Sequence, residues 1–424
     1  MNHRAILAAL FDDPSRTFSV ELWDGTALPN GKGSSGRLVI RQPRAVASLV
    51  PPVQENALAL AFARGDLEIE GDTSKFIEAV AQWEGPKNSF GRMRWLVPAT
   101  VATTPERLRG WLPRLGRAHT LRGDARAVHR HYDLSNDFFR LFLDDSMTYS
   151  CAFFPTGGES LSEAQEAKLE LIERKLKLRT GDRLLDIGCG WGSLLMHAAR
   201  RWGAVAVGTT ISREQFREAR SRIQGTDRVE VYGRDYRDLP VGPFDKIVSI
   251  GMMEHVGREN LGRYFEEVYR RLAPGGLFLN HAIADISDGD QTVRWMRRSG
   301  GGLIQRHIFP DSDLPPLGLV VQTAEKRGFE VRDVECLREH YVRTLRHWLH
   351  NLEARIVEAE RIVGRETARL WRLYLGASAV AFRLGKIGVY QVLLAKRNAN
   401  GEALDIPSCR GEWYRPFLAR TVAS

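Results

Sequence analysis

Cysteine is scarce: 424 residues hold four, Cys151, Cys189, Cys336 and Cys409, far apart and without a CxxC or a Cys/His cluster. That argues against a zinc site and a disulfide framework, and it fits a reducing cytoplasm. Long hydrophobic runs are missing too. The opening MNHRAILAALF has too short an apolar run for a secretory signal and meets Asp12 and Asp13 at once. The most apolar late stretch, LYLGASAVAFRLGKIGVYQVLLAK, is interrupted by Arg383 and Lys386 and reads as a buried helix followed by a strand, not a membrane span. The chain shows no internal repeat, no low-complexity tract and no nucleic-acid motif.

What is present is ordinary in amount, with 43% hydrophobic and 27% charged residues, but uneven in placement. The net charge is +9 and the pI about 9.5. Between Lys87 and Arg130 stand ten Lys/Arg against only Glu106 and Asp124, interleaved with Trp95, Trp111 and several leucines. That mixture suits an anionic bilayer surface, where each Lys or Arg contributes roughly 1 kcal/mol. The alternative is a solvated linker. Nucleic acid is not expected as a partner.

Two regions are expected. Residues 1–123 give mixed signals: strands in FSVELWDGT and GRLVIRQP, a helix in PVQENALALAFARG, then GDLEIEGD and a helix capped by Thr73 or Ser74. They read as a small α+β binding domain plus the basic linker. From residue 124 to 424, strands alternate with amphipathic helices, from DRLLDIG through GGLFLNHAIA. This alternation argues for an α/β, Rossmann-like parallel sheet with helices on both faces and a ligand at the carboxyl ends of its strands. GFEVRDVECL and GVYQVLLAK supply late strands, with one long helical stretch from about Tyr341 to Leu373 between them.

DIGCGWG, Asp186 to Gly192, follows a buried strand and opens a helix. Gly188 and Gly190 permit a tight turn and close approach to a ligand, and Gly192 is expected to let helix and strand pack closely. A nicotinamide cofactor would use a similar loop. Asp186, two residues before the first glycine, favours S-adenosylmethionine, whose ammonium and ribose need acceptors. The next strand ends in GTTISREQ, so Thr210, Ile211 and Gln215 stand where an acidic residue often holds ribose hydroxyls. Asp235, in GRDYRD, either accepts from the adenine amino group or caps a helix.

Further segments complete a set: HYDLSNDFF (131–139), MTYSCAFF (147–154), MMEHVG (252–257), HAI (281–283), HIFP (307–310) and HYVRTLRHW (340–348). In order and spacing they resemble the cyclopropane-fatty-acid synthase family over roughly residues 125–395. VELWDGT and GDLEIEGD look like the extra N-terminal domain of its phospholipid-acting members. The resemblance implies a class I methyltransferase fold with a mixed seven-stranded sheet. It implies that Tyr149 and Ser150, with the glycine loop, Thr210, Ile211 and Gln215, contact S-adenosylmethionine. It also implies a bicarbonate ion held by Cys151, Gly251, Glu254, His281, Ile283 and Tyr341: side chains from Glu254, His281 and Tyr341, mainly position and main-chain groups from the others. The sequence departs from the family at Met253, usually phenylalanine, and Ala282, usually threonine; Met253 is expected to reshape the lipid slot.

The chemistry explains these groups. An isolated alkene is a weak nucleophile, so the sulfonium methyl must be held close and in line. Methyl transfer leaves a carbocation, and ring closure needs a base within reach of the new methyl group. Aromatic faces such as Tyr149, Phe153 or Phe309 stabilise the cation. Each residue also has a plainer reading: Glu254 as a carboxylate favoured at a helix start, His281 as a core histidine, Tyr341 as packing, Cys151 as a small buried hydrophobe, and Phe138, Phe139 and Phe142 as a helix's apolar face. The expected activity is methylene transfer to a cis double bond of an unsaturated phospholipid, by a cytoplasmic protein peripherally bound to the membrane. The family suggests a homodimer. Rivals are a methylene-branched product, a small-molecule amine methyltransferase, and a non-catalytic lipid-binding protein with a vestigial cofactor site.

Overall fold

In the computed structural model, residues 3–29, 35–50, 55–83, 134–239, 242–286, 308, 313–398, 406–407 and 409–422 are described. The basic segment from Lys87 to Arg130 and all of HIFP but Ile308 lie outside them. The chain divides into two compact units, and the division does not follow sequence order: Arg355–Val380 groups with the N-terminal segments.

The first unit holds a three-stranded sheet in which β1 (Ser19–Glu21) runs parallel to β2 (Arg37–Ile40), and β2 antiparallel to β3 (Leu67–Glu70). Phe18, Val20, Leu22, Leu38, Ile40, Leu67 and Ile69 alternate inward and pack with Phe62 and Phe76 of the helices Glu55–Ala63 and Thr73–Gln82. The cap of the second helix is Asp72, whose side chain accepts from Lys75 N at 2.9 Å; Thr73 and Ser74 are buried in its first turn instead. The long helical stretch resolves into three helices, Arg338–Ala354, Ile356–Val363 and Arg365–Arg383. The second break falls at Gly364, φ +82°, a conformation open to glycine at little cost.

In the last of these helices, buried Arg369 donates to Phe62 O at 2.8 Å, Leu67 O at 2.9 Å and Glu68 Oε2 at 2.6 Å. Burial opposes the charge on Glu68, yet Arg369 and Arg372 hold its carboxyl below the usual range. Arg369→Met is therefore expected to destabilise the first unit by roughly 1–3 kcal/mol for each of the two carbonyls it strands, Glu68 keeping Arg372 at 2.8 Å. Thermal unfolding checks this, and an unchanged melting curve would contradict it.

The second unit is built on a seven-stranded sheet: β4 (Arg183–Ile187), β5 (Val205–Thr209), β6 (Val229–Tyr232), β7 (Phe244–Ile250), β8 (Leu272–Asp285), β9 (Phe329–Cys336) and β10 (Ile387–Lys396), in the order β6-β5-β4-β7-β8-β10-β9. Strands β4 to β8 pair in parallel, and β10 inserts antiparallel to β8 and β9. The sheet is thus the mixed, Rossmann-like one expected. The order reverses at β4, placing the switch-point crevice beside the loop that follows it. Close helix–strand packing occurs at Gly208 rather than Gly192: a Cβ on Gly208 would fall 2.8 Å from Cys189 Sγ and closer still to Leu195. At Gly192 the demand is conformational, φ +84° at the N-cap of Ser193–Trp202, with ordinary room for a Cβ. Among the described residues no helix is long and apolar enough to cross a membrane, and no group of three or more His, Cys, Asp or Glu is placed to hold a metal ion.

Candidate active site

A pocket of about 160 Å³ opens at the carboxyl ends of β4, β5 and β7. Tyr149, Ser150, Asp186, Gly188, Gly190, Thr210, Ile211, Gln215 and Asp235 line it, together with Gly251. Of the residues expected at the cofactor, Gly192 alone stands behind the lining. Cβ atoms on Gly190 or Gly251 would project into open space, so the backbone there is bare to a ligand. Thr210 donates to Gln215 Oε1 at 2.8 Å, and Ser212 caps the helix Arg213–Arg222, which brings Gln215 back to the strand end. Asp235 is a helix cap, as one of its two readings has it. It lines the pocket, and it caps the short helix Tyr236–Asp238 through Arg237 N at 2.9 Å. Its carboxylate is also gripped by the Arg237 guanidinium at 2.7–2.8 Å.

Asp186 is almost fully buried, and its Oδ1 has no hydrogen-bond partner among the described residues. Burial pushes its pKa up to about 7, against the pull of nearby Lys168. An ammonium or hydroxyl donor at this oxygen would satisfy it. The pocket therefore fits S-adenosylmethionine.

Beside the pocket, a second group gathers where β7 ends against β8. Gly251 N donates to His281 O at 2.8 Å, and Ile283 N donates to Glu254 Oε1 at 2.8 Å. Glu254 sits in the short helix Met253–His255, buried, with Oε2 lacking a partner among the described residues. Burial raises its pKa to about 7. His281 is also buried, its pKa lowered to about 3 by burial, so the ring is neutral at pH 7. Gln391, the residue opposite it on β10, approaches Nδ1 at 3.3 Å, while His281 Nε2 has no partner among the described residues. With the Gln391 amide donating to Nδ1, the imidazole proton sits on Nε2.

Cys151 and Tyr341 join at one remove. The Cys151 thiol, wholly buried and with its pKa pushed far up by burial, donates to Leu337 O at 3.6 Å. Tyr341 N donates to the same carbonyl at 3.0 Å, and Leu337 N to Val389 O at 2.9 Å, Val389 being the register partner of Ile283. A protonated, buried thiol is no nucleophile. The Tyr341 ring lies 6.0 Å from Trp348 and 4.6 Å from Phe382, and Trp348 lies 5.1 Å from Tyr149. Phe138, Phe139 and Phe142 are fully buried, the latter two within 6.3 Å of Tyr149. Met253 does not face the pocket: it is 2% exposed in the core, with Asn280 Nδ2 donating to its sulfur at 3.4 Å, and Met252 lines the pocket instead.

Sequence reading missed Lys168, Gln165, Trp348 and Gln391. The first two lie on an acidic-basic helix that looks solvated; the periodic leucines and alanines of LSEAQEAKLELI were the available signal.

This pocket on this strand order defines an S-adenosylmethionine-dependent methyltransferase of the class I fold. A family model described as "Mycolic acid cyclopropane synthetase" matches residues 119–392, and the chain belongs to that family. A Pseudomonas putida protein named "Probable fatty acid methyltransferase" is 39% identical over 93% of this chain and 96% of its own. The "Cyclopropane-fatty-acyl-phospholipid synthase" of Escherichia coli strain K12 is 39% identical over 64% of this chain and 68% of its own. The structure of mycolic acid cyclopropane synthase CmaA1 complexed with SAH and CTAB aligns with a TM-score of 0.61 at 34% identity, covering 64% of this chain and 98% of that one.

Proposed function

We propose that this methyltransferase converts a cis double bond in an unsaturated phospholipid acyl chain to a cyclopropane, with bicarbonate as the bound base. The observation that carries the reading is a pair of buried atoms without partners among the described residues, Glu254 Oε2 and His281 Nε2, on residues tied to β7 and β8 by Ile283 N and by the pocket-lining Gly251. Both groups favour their neutral forms, a protonated carboxyl and a neutral imidazole, so each offers a hydrogen to a small anion without adding charge. Ile283 N holds the other Glu254 oxygen and fixes the carboxyl's orientation.

When bound, S-adenosylmethionine supplies an electrophilic methyl, and bicarbonate supplies a proton acceptor. The chain's own residues do the rest. Asp186 and the glycine loop orient the donor. Tyr149 and Trp348 offer aromatic faces to positive charge. The buried cluster around Phe139 and Phe142 keeps water from the substrate cation. Overall, one CH2 is added across the alkene, and one proton leaves from the new methyl carbon. Docking to an anionic cytoplasmic membrane face through the basic Lys87–Arg130 segment belongs to the same proposal and rests on composition.

Incubating the protein with S-adenosylmethionine and liposomes of unsaturated phospholipid should add the mass of one CH2 per reacted double bond. No gain on any unsaturated chain, with or without added bicarbonate, would sink the proposal. The name of the Pseudomonas putida relative favours examining a second outcome, loss of a different proton to give a methylene-branched chain. Proton NMR separates a ring from an exocyclic methylene.

A further inference from the structure

We propose that Lys168 is a positioning residue of the methyl-donor site, fixing the Met147–Cys151 segment through Ser150 and serving as the counter-charge of Asp186. The segment has no regular secondary structure, and Met147 sits at φ +61°, a strained conformation that persists only where its surroundings impose it. Two side chains one helical turn apart hold the residues that follow it, while Asp144, Ser193 and Arg222 hold Ser146 before it. Gln165 Nε2 donates to Thr148 O at 3.1 Å and Ser150 O at 2.9 Å, and Lys168 Nζ donates to Ser150 Oγ at 2.9 Å. Both side chains are buried on one face of the helix Leu161–Lys175, an i, i+3 pair.

Lys168 also lines the cofactor pocket with Asp186. A fully buried ammonium needs an acid, and four acidic groups face this one: Asp144, Cys151, Asp186 and Glu173. Asp144 is engaged by Ser146 N at 3.0 Å, Thr148 N at 2.9 Å and the Ser146 hydroxyl. Glu173 is engaged by His197 at 2.7 Å and Trp202 at 2.7 Å. The Cys151 thiol stays protonated. Asp186 is the one of the four with a buried oxygen lacking a partner among the described residues. Burial lowers the Lys168 pKa to about 8, so it still carries charge near pH 7, while Asp186 titrates near 7.

The test is calorimetric titration of the full chain with S-adenosylhomocysteine between pH 6 and pH 9, which needs no turnover and no lipid. It rests on the cofactor site alone, so it stands whatever the lipid assay returns. In the native protein, affinity should rise through about pH 7 as Asp186 ionises. Lys168→Met should weaken binding and move that midpoint up by at least about one pH unit, the scale of one lost opposite charge at close range. Lys168→Arg, which keeps the charge, should hold the midpoint within about half a unit. Ser150→Ala, which removes only the acceptor, should weaken binding about tenfold with an unmoved midpoint. A uniform loss at every pH in Lys168→Met, or a midpoint displaced equally in Lys168→Arg, overturns the proposal; should Lys168→Met not fold, the Arg and Ala variants still decide it.

Discussion

Glu254→Gln should lower turnover on unsaturated lipid by roughly 10²–10⁴-fold, the range for loss of positioned proton-transfer chemistry, while leaving affinity for S-adenosylhomocysteine within about threefold. The separation follows from geometry. Glu254 does not line the cofactor pocket; its Oε1 accepts from Ile283 N, and its Oε2 is the group left to grip an anion. A glutamine keeps the shape and both contacts, its oxygen accepting from Ile283 N and its amide donating to the anion, but it has no acidic proton to exchange with that anion. Native turnover should also fall in bicarbonate-depleted buffer and recover on its addition, whereas the variant should respond weakly. The pH dependence carries a sign. The Glu254 pKa is raised from 4.5 to about 7 by burial, so the folded state prefers the neutral acid. That advantage is complete below pH 4.5 and gone once pH has passed about 7. Above that point the native protein confines a charge that the glutamine variant lacks. The variant should therefore be more stable at pH 8 by about 1–3 kcal/mol, since each tenfold change in an acid's ionisation constant corresponds to about 1.4 kcal/mol. Lower activity with equal or higher melting temperature is the signature; a parallel loss of both would point to a packing role.

Asp186→Asn has the opposite selectivity. Affinity for S-adenosylhomocysteine should drop by about 10- to 150-fold, the equivalent of the roughly 1.5–3 kcal/mol that a charged hydrogen bond contributes. The residue stands last but one in β4 and lines the pocket, its buried Oδ1 has no partner among the described residues, and no neighbouring acid duplicates it, since Asp235 is held by Arg237. Burial raises the Asp186 pKa from 3.8 to about 7. The ligand-free native protein should therefore lose stability as pH rises through 7, and the asparagine variant should not. At pH 8 calorimetry should show binding lost while the ligand-free melting temperature holds or rises. Binding within threefold of native would remove Asp186 from the site.

Strand–helix alternation made β4 to β8 legible because each strand is a short apolar run closed by turn residues, and the glycine loop announced the pocket by its spacing. Glu254 and His281 could be named, but their meaning lay in the 2.8 Å bonds that tie β7 to β8, and no spacing encodes those. Lys168 was overlooked for a related reason, although the apolar periodicity of its helix was there to be read. On a helix with Glu163, Glu166 and Glu170, a lysine reads as solvated. The helical stretch expected between Tyr341 and Leu373 is there, and its breaks at Arg355 and Gly364 were hidden by a periodic pattern on both sides. Met253 drew notice as a departure from the family's phenylalanine, and it packs in the core while its neighbour Met252 lines the cofactor pocket. Such one-residue offsets around a short helix are invisible to periodicity.

Because Arg369 closes on Glu68 across 301 positions of sequence, the amino-terminal sheet has all its strands but not its covering helix when it leaves the ribosome. At about 5–20 residues per second, its closing helix follows on the order of 15–60 s later. Throughout that interval Glu68 lacks its guanidinium, and the face later covered by Leu373 stands open. The first segment to be synthesised is thus among the last to mature.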